Sequence, residues 1–167
     1  MGNVIWVDEN DNILGEVSKE KAHAEGILHR VAVTYVVNDK NEILVQERMD
    51  MAKLDHSSAG HVDVGESYLQ AAERELYEEL GIISTELQEV GSVPAIDGGA
   101  NFSAKHFMKV FVIKAIPGEL QADEVKSVFW AKPEDVLLDM QVNPNKYTNG
   151  FKATLKIFLE NSSKSFR

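Results

Sequence analysis

The chain has 167 residues, of which 44% are hydrophobic and 26% charged, with a formal net charge of −10. That composition suits a soluble globular domain with a proper core. The acidic balance argues against a general nucleic-acid binder, which needs a basic face for phosphates. An anionic small molecule stays admissible, because bound cations can invert the local field. With no cysteine in the chain, disulfides and thiolate catalysis are excluded and a cytoplasmic home is compatible. Residues 1–9 lack the basic and apolar regions of a secretory leader, and no apolar run is long enough to span a bilayer.

Val4 to Val7 and Ile13 to Val17 read as strands joined by the polar turn Asp8 to Asn12. Ser18 suits the cap of a short helix that stops near Gly26. Val31 to Val37, rich in β-branched residues, predicts a strand; Asn38 to Asn41 predicts a turn, and Ile43 to Gln46 the returning strand. A helix opens at Ser67, which forms a capping-box pair with Gln70, and Gly81 stands where a left-handed C-cap belongs. Leu87 to Val93, Phe107 to Ile116 and Val125 to Trp130 read as strands. Pro94 to Ala104 contains Asp97-Gly98-Gly99 and reads as a mobile loop. Pro133 fits the first turn of a helix through about Met140. Phe151, Leu155, Phe158 and Leu159 mark an amphipathic C-terminal helix. No linker or repeat divides the chain, so residues 1–167 are expected to form a single domain with residues 1–28 as an N-terminal extension. Strands around two or three helices give an α/β or α+β sandwich.

Residues 60–82 predict chemistry rather than shape. They follow G-x5-E-x7-R-E-U-x-E-E-x-G-U, with U apolar, filled by Gly60, Glu66, Arg74, Glu75, Leu76, Glu78, Glu79, Gly81 and Ile82. On a helix turning about 100° per residue, Glu75, Glu78 and Glu79 share one face. Carboxylates so close repel one another. A hard divalent cation such as Mg²⁺ or Mn²⁺, which takes oxygen ligands, removes the conflict. Leu69, Ala72, Leu76 and Leu80 form an apolar stripe beside the acidic one, so the helix can bury one flank and turn the other to a cleft. The loop Gly60 to Gly65 has little bulk at either end and lets backbone approach a ligand. The acidic run alone would equally suit a solvated face. The complete pattern, with glycines on both sides, favours the functional reading.

The stretch resembles the signature box of the Nudix (MutT-like) pyrophosphohydrolases, without a substitution. The resemblance implies a Nudix-type α/β/α sandwich with a mixed sheet, to which this chain adds an N-terminal β-hairpin. It implies Mg²⁺ or Mn²⁺ held by Glu75, Glu78 and Glu79, with the Gly60 carbonyl as an extra ligand. Glu66 and Arg74 should pair and hold the loop against the helix. Family members often add a carboxylate from outside the box, and Glu124, just before a late strand, stands at the matching place; a plain surface turn would suit it as well. Glu78, Glu79 and Glu124 are the candidate catalytic carboxylates. The implied reaction is attack of water on a phosphorus of a nucleoside diphosphate linked to another moiety. The metal activates the water, and a free carboxylate such as Glu124 or Glu78 accepts its proton. The positive end of the box helix also favours phosphate.

Ala22 to Arg30 is similar to a segment of the type I isopentenyl-diphosphate isomerases. That resemblance makes His23, His29 and His61 candidates for a second metal site; together with His106 they could meet in space, although a lone histidine is more often a surface or core residue. The isomerase pattern places a catalytic cysteine where this chain has Ala59, and glutamates near Ala104 and His106. Isomerase-like ancestry with hydrolase chemistry is therefore expected; an isomerase-like protein and a non-catalytic nucleotide-binding Nudix domain are the alternatives. Tyr68, Phe102 and Trp130 are candidates for stacking on a base, Trp130 fitting a core role better. The expected partner is a small-molecule diphosphate, not nucleic acid or membrane. The N-terminal hairpin could pack on a partner subunit, as in a homodimer, or cover its own sheet.

Overall fold

The computed structural model describes residues 2–84, 86–99 and 102–165. The chain opens with β1 (Asn3–Val7), β2 (Ile13–Ser18), α1 (Lys19–Glu25), β3 (His29–Val37) and β4 (Ile43–Arg48). It continues through β5 (Leu54–Asp55), β6 (Ser58–His61), α2 (Tyr68–Leu80), β7 (Gln88–Gly99) and β8 (Phe102–Lys114). It ends with β9 (Val125–Ala131), α3 (Pro133–Val142), a 3₁₀ turn at Pro144–Lys146, and α4 (Asn149–Ser165).

All the strands belong to one mixed sheet centred on β3. β3 runs parallel to β8 from His29↔His106 to Val37↔Lys114 and antiparallel to β6. β4 pairs antiparallel with β9 and β5, but its ladder with β3 is confined to Val37↔Ile43. The two strands therefore splay beyond their hairpin. Ser57 bridges the gap: its Oγ accepts from Val36 N (2.8 Å) and donates to Leu44 O (2.6 Å). Buried backbone groups need such partners when a ladder opens.

Strand alternation divides the core. Val31, Val33, Tyr35, Val45, Met108, Val110 and Val112 face α3 and α4, meeting Val136, Met140, Phe151, Leu155 and Phe158. Ala32, Val36, Leu44, Phe107, Phe111 and Ile113 face α2. Each face buries an alternate set of side chains, as period-2 patterning requires.

The helix signals read from the sequence have physical counterparts. Ser18 caps α1 by accepting from Lys21 N, and Gly26 ends it at φ 64°. Ser67 and Gln70 exchange both capping-box bonds at the start of α2, and Gly81 closes it at φ 64°. A Cβ at Gly81 would lie 2.8 Å from Glu119 N and 2.9 Å from Glu119 O, so strain and a backbone clash add together. Gly81→Ala is expected to cost about 1–3 kcal/mol, measured as a lower midpoint in urea at unchanged slope.

Three expectations change. Pro94 to Ala104 is not a loop up to Gly99: β7 carries on through it, paired with β8 at Ile96↔Lys105 and Asp97↔Ala104. The polar Asp97 is accommodated because its carboxylate accepts from Gly150 N (3.0 Å) and lies 3.1 Å from His106 Nδ1. Ala100 and Asn101 fall outside the described residues. β5 and β6 are strands that composition did not announce, since Ser-Ala-Gly-His has little strand propensity and its ladder is imposed by β3. Finally, Leu69 is 40% exposed, so it does not belong to the buried stripe of α2; Tyr68, Ala71, Ala72, Leu76 and Leu80 do. The N-terminal hairpin joins its own sheet through Trp6↔His29 and buries Val4, Ile5 and Val7.

Candidate active site and an adjoining histidine cluster

The buried stripe of α2 runs through Glu79, which is only 4% exposed. Its carboxylate enters the splay between β3 and β4. There it accepts from Gln46 Nε2 (2.7 Å), Ala59 N (3.3 Å) and Ser58 Oγ (3.4 Å). Burial pushes the Glu79 pKa up to about 8, outweighing the Gln46 bond, and neighbouring Glu75 adds to the rise. Burial also raises Glu75, against the pull of Arg74.

Glu75, Glu79 and Glu124 each place a carboxylate oxygen within 4.8 Å of the others. Glu75 and Glu79 come from one helix turn, whereas Glu124 arrives, exposed, from the connection before β9. Glu78 stands outside this group; its side chain is 53% exposed and lies 3.4 Å from Arg74 Nη1. Gly60 sits directly against the Glu75 side chain, in space that a Cβ would occupy.

Arg74 ties the loop to the helix. Its Nε and Nη2 donate to the two Glu66 oxygens (2.7 and 3.0 Å), Nη2 also donates to His61 O (3.0 Å), and Nη1 donates to Glu75 (2.6 Å). Glu66 in turn accepts from Asp63 N (3.0 Å). One planar guanidinium thus joins loop, strand and acidic helix, a geometry that a lysine lacks. Gln46 and Ser58, the residues that hold Glu79, were not among the candidates read from the sequence. Their signal is faint: Gln46 is a polar residue at an inward position of an apolar strand.

The second group lies on the opposite face of β6. His23 from α1, His29 from β3, His61 from β6 and His106 from β8 have ring centroids 4.8–5.8 Å apart. One ring nitrogen from each lies within 4.8 Å of the other three. Burial lowers His23, and drives His29 down to about 4 and His61 down to about 2, so these rings are neutral at pH 7. The structure thus joins His106 to the three histidines singled out by the isomerase resemblance.

The stacking residues fare differently. The Tyr68 hydroxyl donates to Asp11 (2.8 Å) and its ring is covered by Arg30 and Lys109, so it is not free to stack. Trp130 packs against the Leu76–Leu80 core. The Phe102 side chain falls outside the described residues.

Residues 28–149 match the NUDIX domain family. The isopentenyl-diphosphate Delta-isomerase of Serratia proteamaculans is 30% identical over 160 residues, covering 92% of this chain and 89% of that protein. The uncharacterized Nudix hydrolase YfcD of Escherichia coli is 32% identical over 144 residues, covering 78% of this chain and 76% of that one. Two solved structures share the fold. A Deinococcus radiodurans protein has a TM-score of 0.68 at 20% identity, covering 84% of this chain and 90% of that one. An Ap4A hydrolase from C. elegans has a TM-score of 0.60 at 18% identity, covering 82% and 98%. With this fold and the complete box on α2, the chain belongs to the Nudix family, as a hydrolase-type enzyme related to the isopentenyl-diphosphate isomerases.

Proposed function

We propose that this protein is a divalent-metal-dependent pyrophosphohydrolase that cleaves a nucleoside diphosphate linked to another moiety. The observation that carries the reading is the convergence of Glu75, Glu79 and Glu124, of which half-buried Glu75 and buried Glu79 have raised pKa values. Desolvated carboxylates that repel one another fit a hard cation, so Glu75 and Glu79 would hold Mg²⁺ or Mn²⁺, with the Gly60 carbonyl and Glu78 as further oxygen donors. When bound, such an ion supplies a water of lowered pKa and offsets charge on the diphosphate.

The chain's own residues do the rest. Gln46, Ser58 and the Ala59 amide fix one Glu79 rotamer, so its oxygens need no reorganisation. Glu124, the exposed member of the cluster, or exposed Glu78 on α2 would take the proton of the attacking water. Arg74 and Glu66 position Glu75 and the loop. Arg74→Lys keeps the charge but not the fork, and is expected to lower activity or metal affinity about 10–100-fold, read from the Mg²⁺ dependence of the rate.

The second reading is isomerase-like chemistry, favoured by the histidine cluster and the Serratia proteamaculans relative. The absence of cysteine, and Ala59 in particular, weighs against it. The test is product formation with Mg²⁺ and then Mn²⁺. The panel holds nucleoside di- and triphosphates, nucleotide sugars, dinucleotides and isopentenyl diphosphate. A selective, metal-dependent phosphate product supports hydrolysis. Dimethylallyl diphosphate would support the isomerase, and metal-dependent nucleotide binding without turnover a sensor.

A further inference from the structure

We propose that the N-terminal hairpin, β1 and β2, is a positioning element of the carboxylate centre, and that Asp11 in its turn is the latch that sets how tightly Glu75 and Glu79 hold a divalent cation. This role presupposes that the two carboxylates bind such an ion, as proposed for the hydrolase reaction.

β1 meets the loop between β6 and α2 through the backbone. Val4 forms an antiparallel bridge with Asp63, and Val64 N donates to Asn3 O (3.2 Å). β1 also buries Ile5 and Val7 in one cluster with Val62 of that loop and Tyr68, Ala71 and Ala72 of α2. From the loop the contacts lead on to the carboxylates. Asp63 N donates to Glu66, Glu66 accepts two bonds from Arg74, and Arg74 donates to Glu75. The hairpin and Glu75 therefore belong to one contiguous network of hydrogen bonds.

Asp11 fastens the hairpin at its turn. Its Oδ1 accepts from the Tyr68 hydroxyl (2.8 Å) and from Arg30 Nε (2.9 Å), and its carbonyl accepts from Arg30 Nη2 (3.0 Å). Tyr68 is the first residue of α2, and Arg30 O accepts from Val62 N (3.1 Å). The latch thus grips the box helix and the strand that carries the loop. Asp11 has φ 65°, a left-handed conformation that glycine adopts freely and other residues adopt at a cost. A plain surface turn is served by glycine there. The aspartate side chain, only 19% exposed, instead turns inward onto a guanidinium and a phenol, which glycine cannot do.

The test titrates Mn²⁺ alone into metal-free protein and reads free Mn²⁺ by electron paramagnetic resonance. Asp11→Gly relaxes the turn but removes the carboxylate, and Tyr68→Phe removes one hydroxyl while keeping the ring. Each should weaken Mn²⁺ binding about 10-fold and speed amide exchange at Val64. Asp11→Asn tolerates the left-handed turn and keeps an acceptor oxygen, so it should stay within about twofold of wild type. Wild-type Mn²⁺ affinity in Asp11→Gly would show that turn geometry alone matters and overturn the proposal. Should that variant fail to fold, Tyr68→Phe decides by the same criterion. Glu79→Gln separates the hairpin's role from the hydrolase reading. Mn²⁺ binding that persists in Glu79→Gln overturns the cation site and the hairpin's role with it. Binding lost there but unchanged in Asp11→Gly and Tyr68→Phe overturns the hairpin's role alone.

Discussion

Glu79→Gln is expected to abolish turnover while leaving the metal-free fold at least as stable as wild type. The carboxylate is buried, accepts three hydrogen bonds and sits beside Glu75. Glutamine keeps the shape and one acceptor oxygen but not the charge that holds a cation. A lost metal ligand removes several kcal/mol of transition-state stabilisation, so kcat should fall about 10³-fold or more. Stability moves the other way, because neutralising an uncompensated buried charge is neutral or gains about 1 kcal/mol. The Glu79 pKa is raised from 4.5 to about 8 in the fold. A raised pKa means that its contribution is fully present below 4.5 and lost as pH rises through 8. The stability advantage of the variant should therefore grow across that window, and saturating Mg²⁺ should shrink it by stabilising wild type alone. Parallel denaturation curves at several pH values, with and without Mg²⁺, check this. Equal turnover in the variant would remove Glu79 from the mechanism.

Gly60→Ala carries the second large effect, and for a reason absent from a reading of loop flexibility. A Cβ at this position would overlap Cγ, Cδ and Oε1 of Glu75. The Glu75 side chain must then swing away, breaking its 2.6 Å contact with Arg74 and leaving the acidic group. A shift of about 1 Å in a catalytic constellation can cost about 100-fold in rate, and crowding a packed site costs about 1–3 kcal/mol of stability. We expect turnover to fall about 100-fold or more with a weaker apparent Mg²⁺ affinity and a cooperative unfolding transition. A variant with wild-type kinetics would show that the Glu75 position is dispensable.

Local signals were legible where local physics decides. The caps of α1 and α2 at Ser18, Gly26, Ser67 and Gly81 satisfy orphan backbone groups within a few residues, so sequence spacing suffices to find them. The acidic helix was readable for the same reason. What spacing could not give was the environment of each carboxylate. Glu75, Glu78 and Glu79 look equivalent on a helical wheel, yet Glu79 enters a gap that exists only because β3 and β4 splay. Glu78 instead faces solvent and Arg74. Likewise Leu69 looked apolar and in phase, but the sheet meets α2 along Tyr68, Ala72 and Leu76.

Long-range pairing explains the remaining differences. Asp97-Gly98-Gly99 carries turn chemistry, but β8 and the Gly150 amide supply partners that make it a strand. The four histidines lie up to 83 positions apart, His23 to His106, and no local rule links them. The parallel register His29↔His106 and the antiparallel register Val31↔His61 bring three of them to one end of the sheet, where α1 adds His23.

The proposed reaction is attack of water on phosphorus under the control of the α2 carboxylates. It is tested most directly by turnover in ¹⁸O-labelled water, with mass analysis of the products from whichever diphosphate the panel identifies. The expected result is one ¹⁸O atom in a phosphate of the product, formed with Mg²⁺ by wild type and not by Glu79→Gln. A product whose diphosphate is intact and unlabelled, such as rearranged isopentenyl diphosphate, would rule out hydrolysis.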